Sequence, residues 1–149
     1  MNHLFKKMNF KASETVLVLN APLSFEPHMS AMEGLTRIER AVIHGKKTNF
    51  ILAFCTLQSD IDVIARDVLE YLEDDGLLWF AYPKGTSKRF KCDFNRDTGW
   101  AVLGELGFEP VRMVAIDEDW SALRFRKVEF IKKMTRNSAL SKEGKQRIK

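Results

Sequence analysis

A chain of 149 residues with 45% apolar and 30% charged side chains has ordinary globular composition, which argues against wholesale disorder. Its longest apolar runs, Phe50 to Cys55 and Leu77 to Tyr82, are far shorter than the roughly 18 residues that span a bilayer. The net charge of +4 is concentrated at one end: residues 127–149 carry eight Lys or Arg against two Glu, and the rest of the chain sums to −2. A basic tail on a near-neutral body points less to nucleic-acid binding than a basic face on the fold itself would.

Residues 1–13 read as a loosely ordered polar arm. Lys6, Lys7 and Lys11 are not followed by the apolar segment of a secretory signal, so the cytoplasm is the expected compartment. A single α/β domain is expected over 14–127. It opens with a strand from Thr15 that ends at Asn20-Ala21-Pro22, because proline cannot donate to a ladder. Residues 26–34 fit a short helix closed by Gly34, and Thr36 to His44 fit either a helix or an edge strand. Asn49 to Thr56 is a second apolar strand.

Ser59 and Asp62 have the spacing of a helix cap, and Ile61, Ile64, Ala65, Val68, Leu69 and Leu72 then recur on one helical face. That helix is expected to stop at Gly76, where the run Leu77-Leu78-Trp79-Phe80-Ala81-Tyr82 begins a strand covered on both faces. Strand, helix and strand make a βαβ unit. A further helix is predicted from Asp97 or Thr98 to Gly107, burying Trp100, Leu103 and Leu106. Val111–Ile116 and Ala122–Arg126 then pair as a hairpin about the acidic turn Asp117-Glu118-Asp119, with Trp120 packed at its base. Residues 128–149 are expected to be a mobile basic tail. The fold class is therefore a three-layer α/β sandwich with a mixed, mostly parallel, Rossmann-like sheet ending in an antiparallel hairpin.

In such a sheet ligands sit at the carboxyl ends of the strands. That edge would gather Asn20, Thr56, Gln58, Lys84, Thr86 and Ser87, with Lys88, Arg89 and Lys91 supplying positive charge and Gly85 allowing close backbone approach. The candidate ligand-binding set is Asn20, Lys84, Thr86, Ser87, Lys88 and Arg89, suited to a small anion; a solvated turn with a cationic rim explains the same residues. No nucleotide motif supports a particular cofactor. Lys84-Gly85-Thr86-Ser87 lacks the preceding glycine of a phosphate-cradling loop, and Asn20-Ala21-Pro22 lacks G-x-G-x-x-G.

No catalytic or metal site is legible either. His3, His28 and His44 are scattered, and no spacing provides the three or four ligands of a zinc site. Asp93, Asn95, Arg96 and Asp97 could position a ligand, or coordinate a cation with Asp117 and Asp119, but a helix cap and turn chemistry explain them more cheaply. Cys55 and Cys92 have no second cysteine nearby; both fit small packing residues, and Cys92, between Lys91 and Asp93, also fits a reactive thiol. Arg124 and Arg126 could meet an anion, but pairing with acidic residues across the sheet is the leading expectation.

Three runs carry a family resemblance: Leu19-Asn20-Ala21-Pro22; Gly76 to Lys84 with Thr86-Ser87; and Ala115 to Arg126. Over roughly residues 15–126 they resemble a bacterial family of short proteins classed as a domain of unknown function. That resemblance implies no activity and no catalytic residue. The order of elements is also similar to the C-terminal half of the Rossmann-like methyltransferase fold, from which the chain departs by lacking a glycine-rich loop after its first strand. On this basis a non-catalytic binding or regulatory module holding an anion at the Asn20/Lys84 edge is the leading expectation. A transferase-type enzyme without the standard glycine-rich loop is the alternative, and nucleic-acid binding through the basic tail is the third.

Overall fold

The computed structural model describes residues 2–12, 15–94 and 98–131. Six strands form one sheet: β1 (Thr15–Leu19), β2 (Arg37–Glu39), β3 (Thr48–Phe54), β4 (Leu72–Pro83), β5 (Phe108–Ala115) and β6 (Trp120–Lys127). Their spatial order is β2-β1-β3-β4-β6-β5, with the first four parallel and β6 antiparallel to both β4 and β5. The mixed sheet ending in a hairpin is therefore as the sequence suggests.

Side-chain alternation divides the core into two layers. Val16, Val18, Phe50, Leu52, Phe54, Trp79 and Ala81 face one side; Leu17, Ile51, Ala53, Leu78, Phe80 and Tyr82 face the other. Both sets are buried, which is why β3 and β4 read as unbroken apolar runs. Helices α1 (His3–Lys7) and α2 (Glu26–Ser30) cover the first face; α3 (Gln58–Val68) and α4 (Ala101–Glu105) cover the second.

Helix α1 overturns the expectation of a polar arm. Leu4, Phe5, Met8 and Phe10 are buried, and the Phe5 ring lies 5.6 Å from that of Phe50. Asn2 Oδ1 caps the helix, accepting from the N–H groups of Leu4 and Phe5 at 3.0 and 3.2 Å. Asn9 ends it in the left-handed region at φ 65°, and the Trp79 indole N–H donates to the Met8 carbonyl at 3.1 Å. Five residues are too few to show helical periodicity. The long-range contact to β4 fixes the segment.

Other boundaries shift for similar reasons. Helix α3 stops at Val68, Leu69–Tyr71 tighten into a 3₁₀ turn, and β4 begins at Leu72, which pairs with Thr48 instead of completing the helical face. Gly76 is consequently inside the strand: a Cβ there would lie 2.6 Å from Leu72 Cδ1. The Ser59 cap is not formed. Leu57 occupies the cap position, and Asp93 Oδ1 accepts from the Gln58 N–H at 2.6 Å. The ambiguous segment after Thr36 is a three-residue edge strand beside β1. Gly107 closes α4 at φ 87° and its carbonyl accepts from Val128 N–H. Arg126 forms a two-point pair with Asp75 at 2.9 and 2.7 Å, as expected for an arginine on this face.

Among the described residues no helix is long and apolar enough to cross a membrane. The expectations for Asn95, Arg96 and Asp97, and those for the tail beyond residue 131, fall outside the described residues.

Candidate functional site

Parallel β1, β3 and β4 put Asn20, Thr56 and Lys84 at one edge of the sheet. Each lies just past its strand, and each does a different job. Asn20 is exposed and holds φ 60°, a left-handed turn that asparagine adopts far more readily than most residues with a Cβ. Pro22 follows and starts the 3₁₀ turn Leu23–Phe25, with Phe25 N–H donating to its carbonyl at 2.9 Å. Glycine is missing, and Asn20 supplies a left-handed φ at this one position.

Lys84 is half-buried where β4 leaves the sheet, and its N–H donates to the Asp119 carbonyl at 2.8 Å. Ser87 is buried and serves the architecture of the loop: its hydroxyl donates to Asp119 Oδ1 at 2.8 Å and accepts from Phe90 N–H at 3.1 Å. Asp117 Oδ1 in turn accepts from the N–H groups of Asp119 and Trp120 at 2.8 and 2.9 Å. Trp120 packs against Phe54 and Phe90, at ring separations of 5.1 and 4.9 Å. The conspicuous acidic turn thus pins the 84–90 loop to the hairpin. Ser87→Ala leaves the buried Asp119 carboxylate short of a donor, with an expected loss of about 1–3 kcal/mol read from urea unfolding.

Between this loop and the hairpin lies a cleft of about 600 Å³, within the size range of small-molecule sites, about 300–1,000 Å³. Tyr82, Phe90 and Phe94 give it aromatic walls, and Lys84 and Lys91 give it charge. Met113 and Ser121, from β5 and β6, close the far side. Of the six candidate residues, Lys84, Thr86 and Ser87 line this cleft; Lys88 and Arg89 are exposed on the same loop, and Asn20 stands apart at the end of β1. The single Asn20/Lys84 locus expected from topology resolves into two, because β3 separates β1 from β4. Phe94, Met113 and Ser121 were not legible as site residues, since three distant segments must fold before they meet.

Gln58 and Thr56 brace the edge. Gln58 Nε2 donates to the Gly99 carbonyl at 2.8 Å, and Asp93 N–H donates to the Thr56 carbonyl at 3.2 Å. Exposed Leu23 and Leu57, which follow β1 and β3, leave apolar surface at the same edge; Leu23 is 87% exposed. A second cleft of about 440 Å³ is walled by Leu17, Glu39, Ile43, Lys46 and Tyr71; it also takes in Thr15 and Thr48, the first residues of their strands, and so lies away from the carboxyl edge.

Burial pushes the Cys55 thiol up to about 12, as fits a packing residue, while Cys92 is half-buried beside the first cleft. His28 sits against Phe25, and its Nδ1 accepts from Asn2 Nδ2 at 3.1 Å. Burial first, and then the nearby His3, hold His28 below its ordinary value, with Asp117 opposing. A depressed histidine contributes stability that is complete above its ordinary pKa of 6.5 and is lost as pH falls through the lower folded value. The urea midpoint should therefore fall between about pH 7 and 5, and less steeply in His28→Asn. Among the described residues no group of three His, Cys, Asp or Glu could hold a metal ion.

No protein-family model matches the chain, so the resemblance to a domain of unknown function gains no support, and no curated protein matches it. Solved structures do match. An S-adenosylmethionine-dependent methyltransferase from Aquifex aeolicus is similar at a TM-score of 0.62 with 14% identity, over 85% of this chain and 88% of that one. The N-methyltransferase NodS from Bradyrhizobium japonicum is similar at 0.52 with 13% identity, over 83% and 89%. A type 11 methyltransferase assignment from Sulfolobus solfataricus matches at 0.50 with 9% identity, over 90% and 95%. At these identities the likeness shows the fold, a Rossmann-like methyltransferase fold. It overturns the leading expectation of a non-catalytic module, because these three matching chains, each covered over most of its length, are named as methyltransferases. The alternative, an enzyme of this type without the standard loop, is the reading the comparisons favour.

Proposed function

We propose that the chain is a small Rossmann-like transferase that takes S-adenosylmethionine at the carboxyl ends of β1 and β3 and holds its methyl acceptor in the cleft beside Lys84. The observation that carries this is the turn after β1, where Asn20 holds φ 60°, a left-handed conformation that glycine adopts freely. Exposed Leu23 and Leu57 offer apolar surface to a purine, and Asn20 offers both a donor and an acceptor to the polar end of the cofactor. Bound there, S-adenosylmethionine would supply a methyl group whose bond to sulfur breaks, the electron pair staying on sulfur, as an acceptor nitrogen or oxygen forms the new bond and releases its proton to water.

The chain's own contribution is binding and orientation. Lys84 and Lys91 would neutralise an anionic acceptor, while Phe90 and Phe94 would hold its apolar part and keep water from it. The loop is fixed to the hairpin by Ser87 and Asp119 before any ligand arrives, so little ordering is left to be done on binding. Calorimetric titration with S-adenosylhomocysteine tests the reading. Saturable one-to-one binding supports it; no heat at millimolar ligand, with no rise in melting temperature, overturns it.

A further inference from the structure

Resting on that reading, we infer that the methyl acceptor is a nucleotide, free or within a single strand, with its base against the aromatic wall of the cleft and its phosphate on the 84–91 loop. The first observation is charge. Among the described residues none of those lining the cleft is acidic, whereas Lys84 and Lys91 line it and Lys88 and Arg89 stand exposed on the same loop. None of these four cations forms an ion pair with a described residue. Three of the nearby carboxylates are turned to other work: Asp119 receives the Ser87 hydroxyl, Asp117 receives backbone N–H groups, and Asp93 receives Gln58 N–H, while Glu118 is exposed in the same turn.

The second observation is the wall itself. Tyr82, Phe90 and Phe94 line one cleft with the cations, and Phe90 and Phe94 keep part of their surface accessible although each packs against a tryptophan. Aromatic rings interleaved with lysines along a groove are the arrangement that binds single-stranded nucleic acid, because every base has a ring face to stack and every linkage an anionic phosphate. An inorganic anion would use the lysines and leave the rings idle. A lipid or an apolar metabolite would do the reverse.

Cys92 provides a local reporter, since it lines the cleft while Cys55 is buried. The full chain is labelled with iodoacetamide in the presence of uridine monophosphate or a short oligouridylate, pyrimidines being chosen to spare the proposed purine edge. Either ligand is expected to slow Cys92 labelling at least threefold. The triple variant Lys88→Ala, Arg89→Ala, Lys91→Ala should lose that protection at the same ligand concentration while still binding S-adenosylhomocysteine. With three phosphate contacts on a single strand, a fourfold rise in salt should weaken oligouridylate protection about 20-fold. Protection by the monophosphate alone identifies a free nucleotide as the source, and much tighter protection by the oligomer identifies a strand. Unchanged Cys92 labelling with both, in protein that still binds S-adenosylhomocysteine, overturns this inference and leaves the transferase reading standing. Oligouridylate binding that leaves Cys92 unprotected also overturns it. Failure of S-adenosylhomocysteine to bind overturns the reading beneath it.

Discussion

Trp79→Ala is expected to remove about 4–8 kcal/mol of stability, read from urea unfolding. Trp79 is fully buried in the centre of β4, between β3 and β6, and its indole N–H is the donor to the Met8 carbonyl. Truncating a buried tryptophan to alanine costs about 3–5 kcal/mol through lost burial and the cavity left behind. The Met8 carbonyl, in a fully buried residue, would also lose its donor, at about 1–3 kcal/mol. Those losses compare with a total stability of about 5–15 kcal/mol for an ordinary domain. Trp79→Phe separates the two contributions, since it keeps most of the ring volume and removes the N–H. It should fold, melt lower than wild type, and show faster amide exchange in α1 than in α3. Equal exchange changes in the two helices would contradict the assignment of Trp79 as the tie between β4 and the amino-terminal segment.

Asn20 carries the second large effect, and here function should fall further than stability. A β-branched residue at φ 60° is strained by about 1–2 kcal/mol, so Asn20→Ile should lower the melting temperature by about 2–8 °C in a chain of this size. The same substitution removes the polar side chain and bends the turn away from its left-handed course, so S-adenosylhomocysteine affinity should fall at least 100-fold. Asn20→Gly relaxes the backbone and keeps the turn; its affinity should stay within about tenfold of wild type. Isoleucine and glycine variants that bind alike would show that the conformation of this turn is irrelevant to the ligand, which contradicts the reason for placing the donor there.

Much of the fold is written locally in the chain. The unbroken run Leu77 to Tyr82 announces a strand buried on both faces, the periodic Ile61, Ala65 and Val68 announce α3, and Gly107 stands where a left-handed residue closes α4. What escapes is decided by partners distant in sequence. Leu72 satisfies a helical face and a strand equally well, and its pairing with Thr48 settles the matter. Leu4, Phe5, Met8 and Phe10 are separated by lysines and asparagine, so their common burial depends on Phe50 and Trp79.

The candidate site was half legible for the same reason. Lys84 and Thr86 are visible because a loop rich in cations follows a buried strand. The structural duty of Ser87 is invisible without Asp119, 32 residues away. The conformation of Asn20 was not legible either: no glycine follows β1, and asparagine is among the few residues with a Cβ that tolerate the left-handed region it adopts.

The most direct measurement of the central claim is turnover. The full chain is incubated with S-adenosylmethionine and a protein-free cell extract containing both nucleic acid and small metabolites, and S-adenosylhomocysteine is followed by mass spectrometry. A catalytic role requires it to form with the wild-type chain well above the rate without protein, and to fall at least 100-fold with Asn20→Ile. Formation at the background rate in every fraction of the extract, by protein shown to be folded, would contradict a transferase.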